Sequence, residues 1–176
     1  MTRLYTQRHA DAGERIEDDP EKDAARKITA FGQQQAWWTA SVLREWDEQP
    51  SLILSSPLPR AAATAAIVSD ILGVRLHLID QLMPHLDVQW FLQRLLRDPD
   101  FNGLMIVGHH DNLLPALAAM NGIYTSPSDP PLAQMHMGEV RKLKVTPENG
   151  NIKEKWRLHP SEDRMTVGIS SARYLS

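Results

Sequence analysis

Short apolar runs of strand length alternate along this chain with longer stretches of helical periodicity. Residues 2–7 are partly β-favouring and read as a first strand. From Thr29, "TAFGQQQAWWTASVLREW" sets Phe31, Ala36, Trp37, Ala40, Val42 and Leu43 near one broad face, with Thr29 as N-cap. "SLILSS" (51–56) follows Pro50 as a buried strand, and "PLPRAAATAAIVSDILG" continues as an alanine-rich helix closed by Gly73. "VRLHLI" alternates as a strand, and "DVQWFLQRLLRD" reads as an amphipathic helix with Asp87 as N-cap. "GLMIVG" (103–108) is a buried strand, followed by "DNLLPALAAMNG", a helix with Pro115 in its first turns. "EVRKLKV" and "IKEKWRL" flank "TPENGN", whose Asn149-Gly150 is a hairpin signal. Segments 10–27 and 122–136 read as long loops, and the tail after Pro160 carries no pattern.

Strands that alternate with helices predict an α/β protein: a three-layer α/β/α sandwich with a mostly parallel central sheet and a late antiparallel hairpin near 139–158. Right-handed crossovers place the carboxyl ends of parallel strands along one edge, where ligands of open α/β sheets bind. The residues just beyond the predicted strands share a character. Arg8 and His9 follow the first; Ser55, Ser56 and then Arg60 follow the second; Gly108, His109 and His110 follow the fourth. Two arginines and two or three histidines from distant parts of the chain therefore converge on one edge.

Composition narrows the setting. The 176 residues fit one domain spanning 1–176, and 42% hydrophobic with 23% charged residues is ordinary for a soluble globular chain. Cysteine is absent, which removes disulfides, thiol nucleophiles and thiolate metal sites and accords with a cytoplasmic location. No apolar run reaches membrane-span length and no signal-peptide core is visible, so no membrane association is expected. A net charge of −3 argues against nucleic-acid binding while leaving room for a local cationic pocket. Nothing in the pattern demands a dimer, and a monomer is expected.

Arginine offers a planar fork of donors that matches phosphate, and the helix opening near Pro57 adds backbone N–H groups at the same edge. The expected guest is a phosphoryl group. Histidines are the good nucleophiles among the convergent residues, since serine would need an adjacent base. A neutral imidazole can attack phosphorus if its other ring nitrogen is held by an acceptor, and a second histidine with the arginines would stabilise the equatorial oxygens. Arg60, on a first helical turn at the sheet edge, is expected to carry little core packing.

"RHADA" (8–12), "SSPLPRAAATA" (55–65) and "VGHH" (107–110) resemble the histidine phosphatase superfamily, and "RKITAFGQQQA" (26–36) resembles the corresponding segment of its small SixA-like phosphohistidine phosphatases. The four motifs match in order and spacing from about residue 3 to about 145. The resemblance implies a phosphatase that forms a covalent phosphohistidine on His9, with Arg8, Arg60 and His109 around the phosphate and Arg26 turned toward it. It implies no metal and no other cofactor, and a phosphorylated protein or a small phosphate ester as partner. Lys27 and Ile28 depart from the usual proline and leucine, and His110 stands where asparagine or glutamate is common in that branch. The segment that supplies a carboxylate acid in larger relatives reads "DQLMPHLDV" here, leaving Asp80, His85 and Asp87 as candidates without a decisive motif.

Other roles stay open. Arg26 is either a phosphate contact or a solvated neighbour of Asp23; His110 is either catalytic or an ordinary residue before Asp111. Asp11 is either an orienting carboxylate for a histidine or a turn residue. His77, His85, His136 and His159 read as surface or packing residues. Trp37 and Trp38 cannot both face inward on one helix. Two rival functions remain: a metallohydrolase built on His9, Asp11, His109, His110 and Asp111, and a non-catalytic phosphate-binding domain. Insensitivity to chelators separates the first from a histidine mechanism, and a burst on an aryl phosphate separates the second.

Overall fold

The computed structural model describes residues 2–98, 102–120, 134–146 and 152–165. Six strands form one sheet: β1 (Thr2–Arg8), β2 (Leu52–Ser55), β3 (Leu76–Leu78), β4 (Leu104–Gly108), β5 (Val140–Val145) and β6 (Ile152–Leu158), in the order β3-β2-β4-β1-β5-β6. The first four lie parallel, while β5 pairs antiparallel with β1 and with β6. The helices are α1 (Pro20–Ala24), α2 (Ala30–Glu45), α3 (Pro59–Leu72), α4 (Gln89–Leu96), α5 (His110–Met120) and α6 (Glu162–Met165).

Period-2 alternation assigns each strand residue to one of two cores. Leu4, Leu54, Leu104 and Ile106 pack with Val88, Leu92, Leu113 and Leu117, on the side covered by α4 and α5. Tyr5, Ile53, Met105 and Val107 pack with Ala40, Leu43, Ala65 and Val68, on the side covered by α2 and α3. Strands buried on both faces read as continuous apolar runs, which is why β4 is legible as "LMIVG". The expected three-layer architecture is the one observed.

Several boundaries differ from expectation. The segment 10–27 is not all loop, because Asp19 accepts the Lys22 N–H at 3.0 Å and Pro20 opens the helix, so a supposed breaker acts as a starter. Asp87 is not the N-cap of α4. Val88 holds that position, and Asp87 Oδ1 instead accepts the Gln89 N–H at 2.9 Å. Trp37 leaves the expected apolar stripe and is 54% exposed; Trp38, 4% exposed, packs with Val42 and Leu158. β3 is an edge strand of three residues, shorter than "VRLHLI". Thr29 does cap α2, accepting the Gly32 N–H, and Gly73 closes α3 at φ 67°. The Asn149-Gly150 turn lies outside the described residues, as do most of the 122–136 loop and the tail from 166 onward. Among the described residues no helix is long and apolar enough to cross a membrane.

Candidate active site

Three strand tips lie side by side, and their register fixes what meets there. Arg8 is level with Gly108 across the β1–β4 pair, and the His9 N–H continues the ladder to Gly108 O at 2.9 Å. Ser55 is level with Val107, and the Ser56 N–H donates to Val107 O at 3.0 Å. His9 and His109 thus leave adjacent strands together, with ring centroids 5.3 Å apart and planes inclined by 57°. Both are buried, at 5% and 3% exposure.

The chain after His9 is held by α2 and α3. Thr64 Oγ1 accepts the Ala10 N–H at 3.0 Å and donates to Arg60 O at 2.7 Å. The Asp11 N–H donates to Gln35 Oε1 at 2.9 Å, and the Thr29 N–H donates to Asp11 O at 2.9 Å. Gly32 is needed at this crossing, since a Cβ there would stand 2.1 Å from Asp11 O. The Asp11 carboxylate receives the Thr29 hydroxyl, so it serves the turn and the helix cap. His9 finds its acceptor elsewhere: Nδ1 lies 2.8 Å from Ala10 O. A carbonyl only accepts, so Nδ1 carries the proton and the Nε2 lone pair is free.

Three guanidinium groups lie near enough to His9 to act on its charge: Arg60, Arg8 and Arg26. Arg8 donates from Nη1 to Met135 O at 2.8 Å. Arg60 donates from Nη1 to Asp23 O at 2.9 Å, with Nη2 3.7 Å from the Asp23 carboxylate. Arg26 donates from Nε to Asp23 Oδ1 at 2.8 Å and from Nη1 to the carbonyls of Ala12 and Gly13. Burial, opposed by the Ile16 N–H and by Arg26, leaves Asp23 below the ordinary carboxylate range. The Nε groups of Arg8 and Arg60 are buried without a hydrogen-bond partner among the described residues. Burial pushes the pKa of both arginines down, and the charge of Arg26 adds to it. Mutually repelling cations with unused donors offer what an anion needs.

Contrary to expectation, Arg60 is not a lightly packed edge residue: it is 5% exposed and anchors the loop through Asp23. Beside it opens a cleft of about 800 Å³, lined among others by Arg15, Asp23, Arg60, Met83, His85 and Asp111.

The other candidates are dispersed. His110 is half-buried as the first residue of α5, its pKa depressed by burial and then by Arg8. Asp80 and Asp87 are exposed, and the Asp87 carboxylate is engaged at Gln89. His85 reaches the cleft wall. His136 and His159 stack on each other at 4.1 Å. Sequence reasoning missed Asp23, which holds both Arg26 and Arg60, and Met135, whose carbonyl takes Arg8. Only the adjacency of Asp23 to Arg26 hinted at the former, and nothing at the latter.

Burial, then the nearby arginines, lower the His9 pKa to about 4; burial, then His9 and the arginines, lower that of His109 to about 3. Both rings are neutral in the folded protein at ordinary pH. Unfolded histidine titrates near 6.5, so below that pH the unfolded chain binds protons that the folded chain refuses. Stability present above about pH 6.5 should fall as pH drops toward 4, by up to about 1.4 kcal/mol per unit for each histidine. Urea unfolding of wild type and His9→Ala across this range checks the sign: the variant should lose less stability on acidification, and an identical slope would contradict the assignment.

A scan against protein families matches residues 4–84 to the model described as the histidine phosphatase superfamily (branch 1). A comparison with curated proteins finds no match. Among solved structures, a SixA from Agrobacterium tumefaciens, assigned as a phosphohistidine phosphatase, is 22% identical with a TM-score of 0.74, covering 91% of this chain and 99% of that one. The protein histidine phosphatase SixA complexed with tungstate is 21% identical with a TM-score of 0.72, covering 90% and 97%. A mycobacterial glucosyl-3-phosphoglycerate phosphatase is 18% identical with a TM-score of 0.65, covering 88% and 97%. The resemblance read in the sequence therefore holds: residues 4–84 fit the histidine phosphatase superfamily (branch 1), and the fold is the one seen in the SixA structures.

Proposed function

We propose that the protein is a metal-independent phosphatase that takes a phosphoryl group onto His9 and passes it to water, with protein phosphohistidine as its substrate. The observation that carries this reading is the free Nε2 of His9, on a ring fixed through Nδ1 by Ala10 O and close to three arginines, two of which, Arg8 and Arg60, keep an unpartnered Nε. In the first step the Nε2 lone pair forms a bond to phosphorus while the bond to the leaving group breaks, its electron pair departing with that group. Arg8, Arg26 and Arg60 bind the equatorial oxygens, and His109, held by Ser56 Oγ 2.9 Å from its Nε2, supports them from the adjacent strand tip. Water then attacks the phosphohistidine, giving inorganic phosphate and the neutral imidazole.

The leaving group decides the substrate class. An alkoxide needs a placed acid, worth about 10²–10⁴-fold. Neither Asp80 nor Asp87 lines the cleft; of the carboxylates that do, Asp23 is engaged by Arg26 and Arg60 and Asp111 pairs with Arg15, which leaves Glu17 and His85. A phosphoramidate nitrogen takes up a proton readily, so phosphohistidine suits this site better than a sugar phosphate. The same scarcity of ligands counts against the metal reading: Asp11 is engaged by Thr29, Asp111 lies 3.7 Å from Arg15, and the arginines would repel a cation.

Turnover of a phosphorylated histidine-containing transfer domain, measured beside alkyl and aryl phosphates with and without chelator, tests the proposal. It predicts phosphohistidine first, aryl esters next with a steep dependence on leaving-group acidity, and alkyl esters last, all unaffected by chelator. Alkyl esters turned over as fast as phosphohistidine would make it a small-molecule phosphomonoesterase.

A further inference from the structure

The cleft has opposite charge at floor and lip. Its floor holds Arg60, which is 95% buried and whose Nε has no hydrogen-bond partner among the described residues. Its lip is the segment from Gly13 to Ala24, which carries six carboxylates against Arg15 and Lys22. Only two of the six are internally engaged: Asp23 turns in to Arg26 and Arg60, while Asp19 caps α1 and pairs with Lys22 at 2.8 Å. Glu14, Glu17, Asp18 and Glu21 are exposed and make no ion pair among the described residues, and Glu17 lines the cleft. Across the opening, α5 sets exposed Asp111 3.7 Å from Arg15, so both basic residues of the lip, Arg15 and Lys22, already face a carboxylate. Ile16, 37% exposed, supplies an apolar contact between these carboxylates.

A compact polyanion would meet this lip before reaching the floor, and a second carboxylate or phosphate on a small substrate would be left against Glu17. A phosphoryl group on a basic polypeptide satisfies both halves, its phosphate on the arginines and its flanking cations on the lip. We propose that the Gly13–Ala24 lip selects phosphorylated protein segments with lysine or arginine within a few residues of the modified side chain. This rests on the phosphatase reading and adds the charge class of its substrate. Rim charges act chiefly on encounter and are screened by salt, which gives the idea a signature that packing effects lack.

Two phosphotyrosine peptides, identical except for lysine or glutamate flanks, serve as stable probes, with p-nitrophenyl phosphate as a reference without flanks. The basic peptide should show about tenfold higher kcat/KM at low salt, the gap closing to about twofold near 0.5 M. The double variant Glu17→Lys/Asp18→Lys, at two exposed positions, should shrink or invert the ratio between the peptides at low salt. Equal rates for the two peptides, or a ratio insensitive to salt and to the double variant, would overturn the inference while leaving the phosphatase reading intact. Failure to hydrolyse either peptide or the reference would instead overturn the phosphatase reading, and this one with it.

Discussion

His9→Ala should lower turnover by about 10⁴-fold or more on every substrate, because it deletes the atom that accepts the phosphoryl group. The loss should fall on kcat. Arg8, Arg26, Arg60 and His109 remain, so vanadate or phosphate should still bind the variant. The fold should survive as well: the imidazole is neutral, its single described hydrogen bond goes to the neighbouring Ala10 carbonyl, and strand β1 is held by its ladders to β4 and β5. His109→Ala should fail differently. The accepting nitrogen stays, and a slow formation of adduct should persist. A His9→Ala protein with more than a hundredth of wild-type activity would contradict the assignment.

The second large effect concerns Arg60. Arg60→Ala removes a buried fork of donors from the anion pocket and should cost about 10²–10³-fold in turnover, by comparison with losing one preorganised donor at an oxyanion. It also releases Asp23, whose carbonyl and carboxylate lie 2.9 Å and 3.7 Å from the guanidinium. The Gly13–Ala24 segment should loosen, so proteolysis there should quicken along with the loss of activity. Arg60→Lys keeps the charge but not the fork, and should recover only part of the rate. A folded Arg60→Ala protein with the wild-type rate would remove this residue from the site.

The residues at the strand tips were legible in the sequence because local rules fix them. A short apolar run ending at Arg8, another at Ser55 and a third at Gly108 place the next residues at one sheet edge in any parallel α/β arrangement. Thr29 and Gly73 were legible for the same reason, since a cap is decided within four residues. Contacts that join distant segments were not. Nothing near residue 8 announces that Arg8 meets the carbonyl of Met135, 127 positions away. The double engagement of Asp23 depends on how a loop folds back over α3, which composition alone does not specify. Trp37 and Trp38 were ambiguous because α2 is buried over much of its circumference, from Gln35 to Leu43, so the apolar stripe is broad and diffuse. Asp11 stands two residues after His9 in sequence, yet the tertiary structure gives its carboxylate to Thr29 and gives the histidine a backbone carbonyl instead. Arg60 looked like a surface residue because a first-turn arginine usually is; here the cleft wall encloses it.

A covalent intermediate on one named nitrogen is the claim on which the rest depends. Wild-type enzyme mixed with phosphorylated substrate, quenched rapidly and held alkaline, should yield a phosphoramidate that acid destroys. Digestion and mass spectrometry should then place the added phosphoryl group on the peptide containing His9. Label on His109 would exchange the roles of the two histidines, and label on Ser55 or Ser56, stable to acid, would contradict the histidine mechanism.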